Sequence, residues 1–141
     1  MTDAERARAS LAGHTIALCR GEEVLVSDMR GISPMLSFIG EGKNLSGWSV
    51  ADVVVGKAAA LLFAYAGVKE VWAEVLSDTG ARALEANGIP FACAARTPYI
   101  VNRQGNGMCP MEMTVQDISD PAEAYAALRR KADMLRANAR K

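Results

Sequence analysis

The sequence has few of the residues that build metal centres and disulfide networks. Its 141 residues include one histidine, His14, and three cysteines, Cys19, Cys93 and Cys109, at wide spacings and without a Cys-x-x-Cys pair. Disulfide frameworks and zinc sites depend on cysteines and histidines at regular, paired spacings. We therefore expect no disulfide framework and no conventional zinc site, and we predict no metal or other cofactor.

The chain also lacks an excess of charge of either sign. Sixteen basic residues balance sixteen acidic residues, and the formal net charge is zero. Because nucleic acids and anionic membranes attract basic surfaces, we predict neither as a partner. The longest apolar run, 53–68, is interrupted by Lys57 and is too short for a confident membrane span. The charged N-terminus has no apolar signal core behind it, so we expect a cytoplasmic protein.

Apolar residues are plentiful, at 50% of the chain. The length suits one domain, residues 1–141, with a core of its own. Strand patterns over 14–20 and 23–27 predict a hairpin. Strand, helix and strand patterns over 68–76, 77–87 and 89–95 predict a βαβ unit with parallel strands. These elements predict an α/β fold, a three-layer α/β/α sandwich around a mixed sheet.

Residues 52–67 are apolar on every side of a helix except at Lys57. The pattern predicts a buried helix with Asp52 as its N-cap and Gly67 as its C-cap. An unpaired ammonium buried with it would cost several kcal/mol. Either the Lys57 side chain reaches the edge of the core, or an anionic group meets it.

A turn rich in glycine and asparagine precedes a short helix predicted to begin at Pro110. Cys109 would lie at the positive end of that helix, which favours a thiolate, although no histidine base is evident and a small buried cysteine is the alternative. Asn102, Arg103 and Glu112 bracket the turn, and the Arg103 guanidinium suits a phosphate or carboxylate. These three residues either line a pocket or are ordinary solvated loop residues.

Four separated motifs give the chain a resemblance to a known family. The chain resembles the prokaryotic family called domain of unknown function 1893 over roughly residues 15–125. The motifs are Arg30-Gly31-Ile32-x-Pro34, the Val50-Ala51-Asp52 to Ala60 stretch, Pro98-Tyr99-Ile100-x-Asn102-Arg103, and Gly107-Met108-Cys109-Pro110-Met111-Glu112. That family is classed with cytidine deaminase-like folds, so the resemblance implies the same three-layer architecture.

The resemblance also implies where a deaminase would hold its zinc. Enzymes of that superfamily use a His or Cys and then a Glu at one helix start, and a Pro-Cys-x-x-Cys motif at the next. Here Gly56 or Lys57 and Ala58 would occupy the first positions, and Thr79 and Arg82 the thiolate positions. Since zinc needs nitrogen or sulfur ligands, zinc-dependent deamination is not expected.

The leading hypothesis is a zinc-free, deaminase-like domain that binds a small anionic ligand such as a nucleotide. The cleft would be formed by Lys57 and the 102–112 turn. The predicted ligand-binding residues are Asp52, Lys57, Asn102, Arg103 and Glu112.

Two alternatives stay open at this point. One is an enzyme that uses Cys109 as a nucleophile or redox thiol. The other is a structural or interaction module, with the C-terminal helix serving self-association. A homo-oligomer is expected on general grounds for folds of this kind.

Overall fold

The computed structural model of the chain describes residues 1–102 and 104–139, so the predicted ligand contact Arg103 lies outside the described residues. Within these ranges the chain forms six helices and five strands. The helices are α1 (Asp3–Ser10), α2 (Ser33–Gly40), α3 (Lys57–Ala66), α4 (Asp78–Ala86), α5 (Pro110–Thr114) and α6 (Pro121–Ala139). The strands are β1 (Ile16–Arg20), β2 (Glu23–Ser27), β3 (Ser49–Val55), β4 (Glu70–Ser77) and β5 (Phe91–Thr97).

The five strands form one mixed sheet in the order β2-β1-β3-β4-β5. Strand β1 is antiparallel to both β2 and β3, whereas β3, β4 and β5 are parallel to one another. The predicted hairpin, the parallel βαβ unit and the mixed α/β class are therefore confirmed. Because β2, β3, β4 and β5 run in the same direction, their carboxyl ends share one edge of the sheet, where ligands commonly bind in α/β folds.

The core lies on both faces of the sheet. On one face α1 covers small side chains of β1 and β3, which include Ala17, Cys19 and Ala51. On the other face a larger apolar cluster joins the sheet to α2, α3, α4 and α6. Helix α3 is its centre, since every residue from Ala58 to Phe63 is buried. In the described part of the chain, no helix has both the length and the apolarity that a membrane crossing requires.

The predicted helix over 52–67 was wrong in its first five residues, 52–56. Residues 49–55 form β3, the central strand, and the helix begins only at Lys57 with Gly56 as its N-cap. Asp52 therefore lies within a strand and caps no helix. A central strand is apolar on both faces, and such a run cannot be told from a buried helix by periodicity. The β-branched residues 53–55 favour the strand.

The rest of that prediction, from Lys57 to the C-cap Gly67, was confirmed. Gly67 ends α3 in the left-handed conformation, with φ +79°, and its amide bonds the carbonyls of the last turn. Helix α3 is enclosed by α2, α4 and α6 as well as by the sheet, as its apolar sequence requires.

Candidate functional site

The N-terminus of α3 is capped by a side chain from a distant part of the chain. Gly56, at the N-cap position, has no side chain to offer. The Glu112 carboxylate from α5 accepts bonds from the Lys57 and Ala58 amides, each at 2.8 Å. Glu112 is only 8% exposed. Its negative charge lies at the positive end of the helix dipole, so the first amides of α3 are already occupied by the protein's own anion.

Gly56 is required here by proximity rather than by backbone conformation. Its φ of −109° is open to any residue. A Cβ at this position, however, would lie 2.6 Å from Cδ of Glu112 and 2.8 Å from Cγ1 of Ile100. Any side chain would therefore displace the carboxylate that caps α3.

Helix α4 begins beside α3 at the same edge of the sheet. Its N-cap is local, because the Ser77 hydroxyl accepts a bond of 2.9 Å from the Gly80 amide. A Cβ on Gly80 would lie 3.0 Å from the Val55 carbonyl oxygen. The first turn of α4 thus packs directly on the backbone that leads from β3 into α3.

The Lys57 side chain points away from the Glu112 cap. It is half-buried, and its Nζ donates a bond of 3.1 Å to the Gln116 carbonyl in the connection between α5 and α6. Of the two alternatives for this lysine, the structure shows the first: the side chain reaches the edge of the core. A backbone carbonyl satisfies one of its three N–H donors.

Lys57 lies in a cleft of about 320 Å³ between α3, α4 and the α5–α6 connection. Arg82 of α4 lines the same cleft. Its remaining described walls are apolar or neutral, and they comprise Leu61, Thr79, Ala83, Ala86, Asn87, Gln116 and Ser119. No carboxylate is among these described lining residues, and neither Lys57 nor Arg82 forms an ion pair with a described residue. The described lining of the cleft therefore carries two positive charges and no negative charge.

The Asn102 side chain forms hydrogen bonds within its own turn. Its side chain donates a bond of 2.9 Å to the Asn106 side chain and accepts one of 3.2 Å from the Asn106 amide. Its backbone amide donates to the Gly107 carbonyl at 2.7 Å. These bonds close the 102–107 turn, and the described contacts do not bring Asn102 to Lys57.

Cys109 is half-buried and directly precedes α5, as predicted from Pro110. Helix α5 has only five residues, so the dipole available to favour a thiolate is small. The chain's one histidine is bonded elsewhere, with 2.8 Å between Nδ1 of His14 and Oδ1 of Asp28. A catalytic role for Cys109 stays an untested prediction, and it would need a base other than histidine.

Asp52 is buried in the larger core cluster. It is 6% exposed, and its neighbours across the sheet are Ile16 and Ala73. Burial raises the pKa of its carboxyl to about 8, and the amides of Val54 and Val53 oppose this rise only in part. Asp52 is therefore a buried acid in the strand that leads into α3.

A family comparison agrees with the motifs and the fold. The family model described as domain of unknown function (DUF1893) matches residues 9–132. The chain belongs to the DUF1893 family. A crystal structure of a DUF1893 family protein from Thermotoga maritima is similar to the chain with a TM-score of 0.83 and 24% identity, covering 93% of this chain and 91% of that chain. No curated protein matches the chain.

In this DUF1893 domain, sequence reasoning did not predict that Arg82 and Thr79 line the same cleft as Lys57. The sequence analysis treats both residues only as the positions where a deaminase would have its zinc-binding cysteines. A signal was present, because Thr79, Arg82, Ala83 and Ala86 are spaced by three or four residues and so share one face of α4. The described residues of the domain contain no group of three His, Cys, Asp or Glu side chains close enough to hold a metal ion.

Proposed function

We propose that this DUF1893 domain binds a small anionic ligand, such as a nucleotide, in the cleft between α3 and α4. The observation that carries the proposal is the pair of cations, Lys57 and Arg82, in a cleft whose described lining has no carboxylate. Two charges of one sign on a concave surface raise the local potential and attract ligands of opposite charge. The apolar residues Leu61, Ala83 and Ala86 offer a floor for the uncharged part of the ligand.

Lys57 and Arg82 would contribute to anion binding in different ways. The Lys57 ammonium bonds a neutral carbonyl, and an anion can replace that partner without any change in the fold. The Arg82 guanidinium is exposed and presents the fork that matches a phosphate or carboxylate. Because Glu112 occupies the first amides of α3, we propose that side-chain cations, and not a helix N-terminus, carry the binding.

The other predicted site residues have supporting roles in the proposal. Glu112 holds α5, and with it the Gln116 carbonyl, beside Lys57. Asn102 closes the turn that leads into α5, and Asp52 lies in β3, the strand that leads into α3.

We further propose a zinc-free, deaminase-like architecture of three α/β/α layers for the domain. Support comes from α1 on one face of the sheet and α3 on the other, and from the lack of zinc-ligand residues at Gly56, Lys57, Thr79 and Arg82.

Ligand-dependent thermal stabilisation tests the binding proposal. The wild-type chain is heated with inorganic phosphate, nucleoside mono-, di- and triphosphates, and small dicarboxylates. A ligand at 100 times its Kd adds about 2.7 kcal/mol to the free energy of unfolding, which raises Tm by roughly 5–10 °C in a domain of this size. Lys57→Met and Arg82→Met are each expected to abolish that rise while keeping the ligand-free Tm.

Lys43→Met is the matched control, since Lys43 is an exposed lysine outside the cleft. It is expected to keep the full ligand response. If Lys57→Met and Arg82→Met retain the wild-type response, the ligand binds elsewhere. If none of these anions stabilises the wild-type chain, the proposed function is wrong.

A further inference from the structure

Strand β5 is an uncovered edge of the sheet. In the described structure it pairs with β4 alone, and Ala92, Ala94 and Ala95 are exposed although they lie mid-strand. From Phe91 to Ala95 the strand has no charge and no proline. Proteins normally protect such edges with charges, prolines or bulges, because free backbone groups pair readily with another strand. The edge of β5 is thus competent for pairing.

The ladder with β4 shows which backbone groups of β5 are free. The Val71 amide donates to the Pro90 carbonyl at 3.1 Å, and Val71 lies opposite Phe91. In a parallel pair, alternate residues bond the neighbouring strand. The groups of residues 92, 94 and 96 therefore face β4. Those of residues 91, 93, 95 and 97 face the open edge.

We propose that two copies of the chain pair through β5, antiparallel, about a two-fold axis at Ala94. In this register Cys93 of one copy faces Ala95 of the other, and Phe91 faces Thr97. All four are residues with free edge groups, so each facing pair exchanges both of its backbone hydrogen bonds. An axis at Cys93 or Ala95 would leave residues at one end of the strand unpaired.

Charge and side-chain size agree with this register. Arg96, the one charged residue of β5, faces Ala92 of the other copy, so no like charges meet. Its guanidinium is already bonded to Asp78 of its own chain, at 2.8 and 3.2 Å. The central side chains are all small, which permits close approach.

The opposite edge of the sheet fits a closed pair less well. Strand β2 has five residues against seven in β5, and it begins at Glu23 beside Glu22. Pairing of β5 with β2 of another copy would be head-to-tail and would generate an open chain of subunits. The β5 pair instead closes on itself, and the proposal does not depend on the ligand site.

Self-cross-linking at the axis tests the register. Ala94→Cys is made in a Cys93→Ser, Cys109→Ser background, leaving Cys19 buried. Ala94 would form a non-hydrogen-bonded pair with its own copy, with about 4.5 Å between the Cα atoms, which suits a disulfide. Mild oxidation should give a disulfide-linked dimer. Ala92→Cys, equally on the exposed strand but facing Arg96, should stay monomeric under denaturing conditions.

A charge swap tests the pairing itself by light scattering. Wild type is expected to be a dimer, whereas Ala94→Lys and Ala94→Glu place like charges opposite each other and should each be monomeric. Mixing the two variants should restore the dimer, which also shows that both are folded. A monomeric wild type, a dimeric Ala94→Lys, an open-ended polymer, or equal cross-linking at position 92 would overturn the proposal.

Discussion

The N-termini of α3 and α4 both have free amides that need a hydrogen-bond acceptor, and the two helices obtain that acceptor in different ways. Both helices follow parallel strands, begin at the same edge of the sheet and lie in contact. Helix α4 is capped by its own Ser77, three residues from the amide that it bonds. Helix α3 is capped by Glu112, which is 55 residues further along the chain than Lys57. One cap is a local property of the sequence, whereas the other exists only in the folded molecule.

The difference shows how the candidate site is assembled. A local cap stabilises its helix whether or not the rest of the chain is in place. The Glu112 cap also holds α5 against α3. The segment after α5 contains Gln116, whose carbonyl accepts a hydrogen bond from Nζ of Lys57. Loss of the Glu112 cap should therefore disturb the cleft as well as the helix, whereas loss of the Ser77 cap should weaken only α4.

Among the substitutions that test these two caps, Gly56→Ala is expected to lower the free energy of unfolding the most. The new Cβ would meet the Glu112 carboxyl and Ile100 at distances below any real contact. The cap must leave, and we expect a loss of roughly 4 kcal/mol in the free energy of unfolding. Urea denaturation measures this loss.

Gly107→Ala is the control for that substitution. A Cβ on Gly107 would make only an ordinary contact, 3.6 Å from Nδ2 of Asn102. Its stability should stay close to that of wild type. If Gly56→Ala were as stable as Gly107→Ala, the close packing of Glu112 on Gly56 would be refuted.

Removing the two caps compares them directly. Glu112→Ala leaves the part-buried Lys57 amide and the buried Ala58 amide without their charged acceptor, and we expect it to lose roughly 3 kcal/mol. Ser77→Ala should lose about 1 kcal/mol, as for an ordinary N-cap. Formate, which fits the vacated space, should raise the Tm of Glu112→Ala more than chloride does at equal ionic strength. Ser77→Ala should show no such preference, and equal responses of both variants would contradict the contrast.

Asp52→Asn tests a related difference between two buried acidic side chains, Glu112 and Asp52. Glu112 binds two helix amides, whereas burial raises the pKa of Asp52 to about 8 from its ordinary value of 3.8. The folded chain therefore holds that proton more tightly than the unfolded chain. Stability should be full below about pH 4, fall as the pH rises, and level off above about pH 8.

An amide side chain at position 52 cannot ionise, so the Asp52→Asn variant should lose most of this slope. Between pH 5 and pH 8 we expect the stability of Asp52→Asn relative to wild type to rise by roughly 3–4 kcal/mol, since each pH unit below the raised pKa of about 8 is worth about 1.4 kcal/mol. Urea denaturation at both pH values makes the measurement. A wild-type slope that persists in Asp52→Asn would assign it to other groups.

The elements most open to prediction from sequence were those defined by local chemistry. Gly67 and Pro110 mark helix ends through positive φ and a missing amide, and each was located correctly. The helix predicted over 77–87 agrees within a residue with α4, whose N-cap is Ser77. The hairpin and the parallel βαβ unit follow from short-range strand patterns. Family membership followed from the four motifs.

What sequence could not provide were relationships between distant residues. Asp52 was expected to cap a helix because a fully buried strand and a buried helix have the same apolar pattern. The Glu112 cap and the shared cleft of Lys57 and Arg82 arise from how α5 and α4 pack on α3. The residue spacing within α4 marks one face of that helix, but a short window of sequence does not show which helix that face meets.

The contact between Gly80 and the Val55 carbonyl has a mechanical consequence. Because the first turn of α4 packs on backbone at that point, the N-termini of α3, which carries Lys57, and α4, which carries Arg82, are held close together. The helix starts that carry Lys57 and Arg82 therefore cannot separate without breaking this backbone packing. We expect the proposed anion to bind with little rearrangement of the main chain.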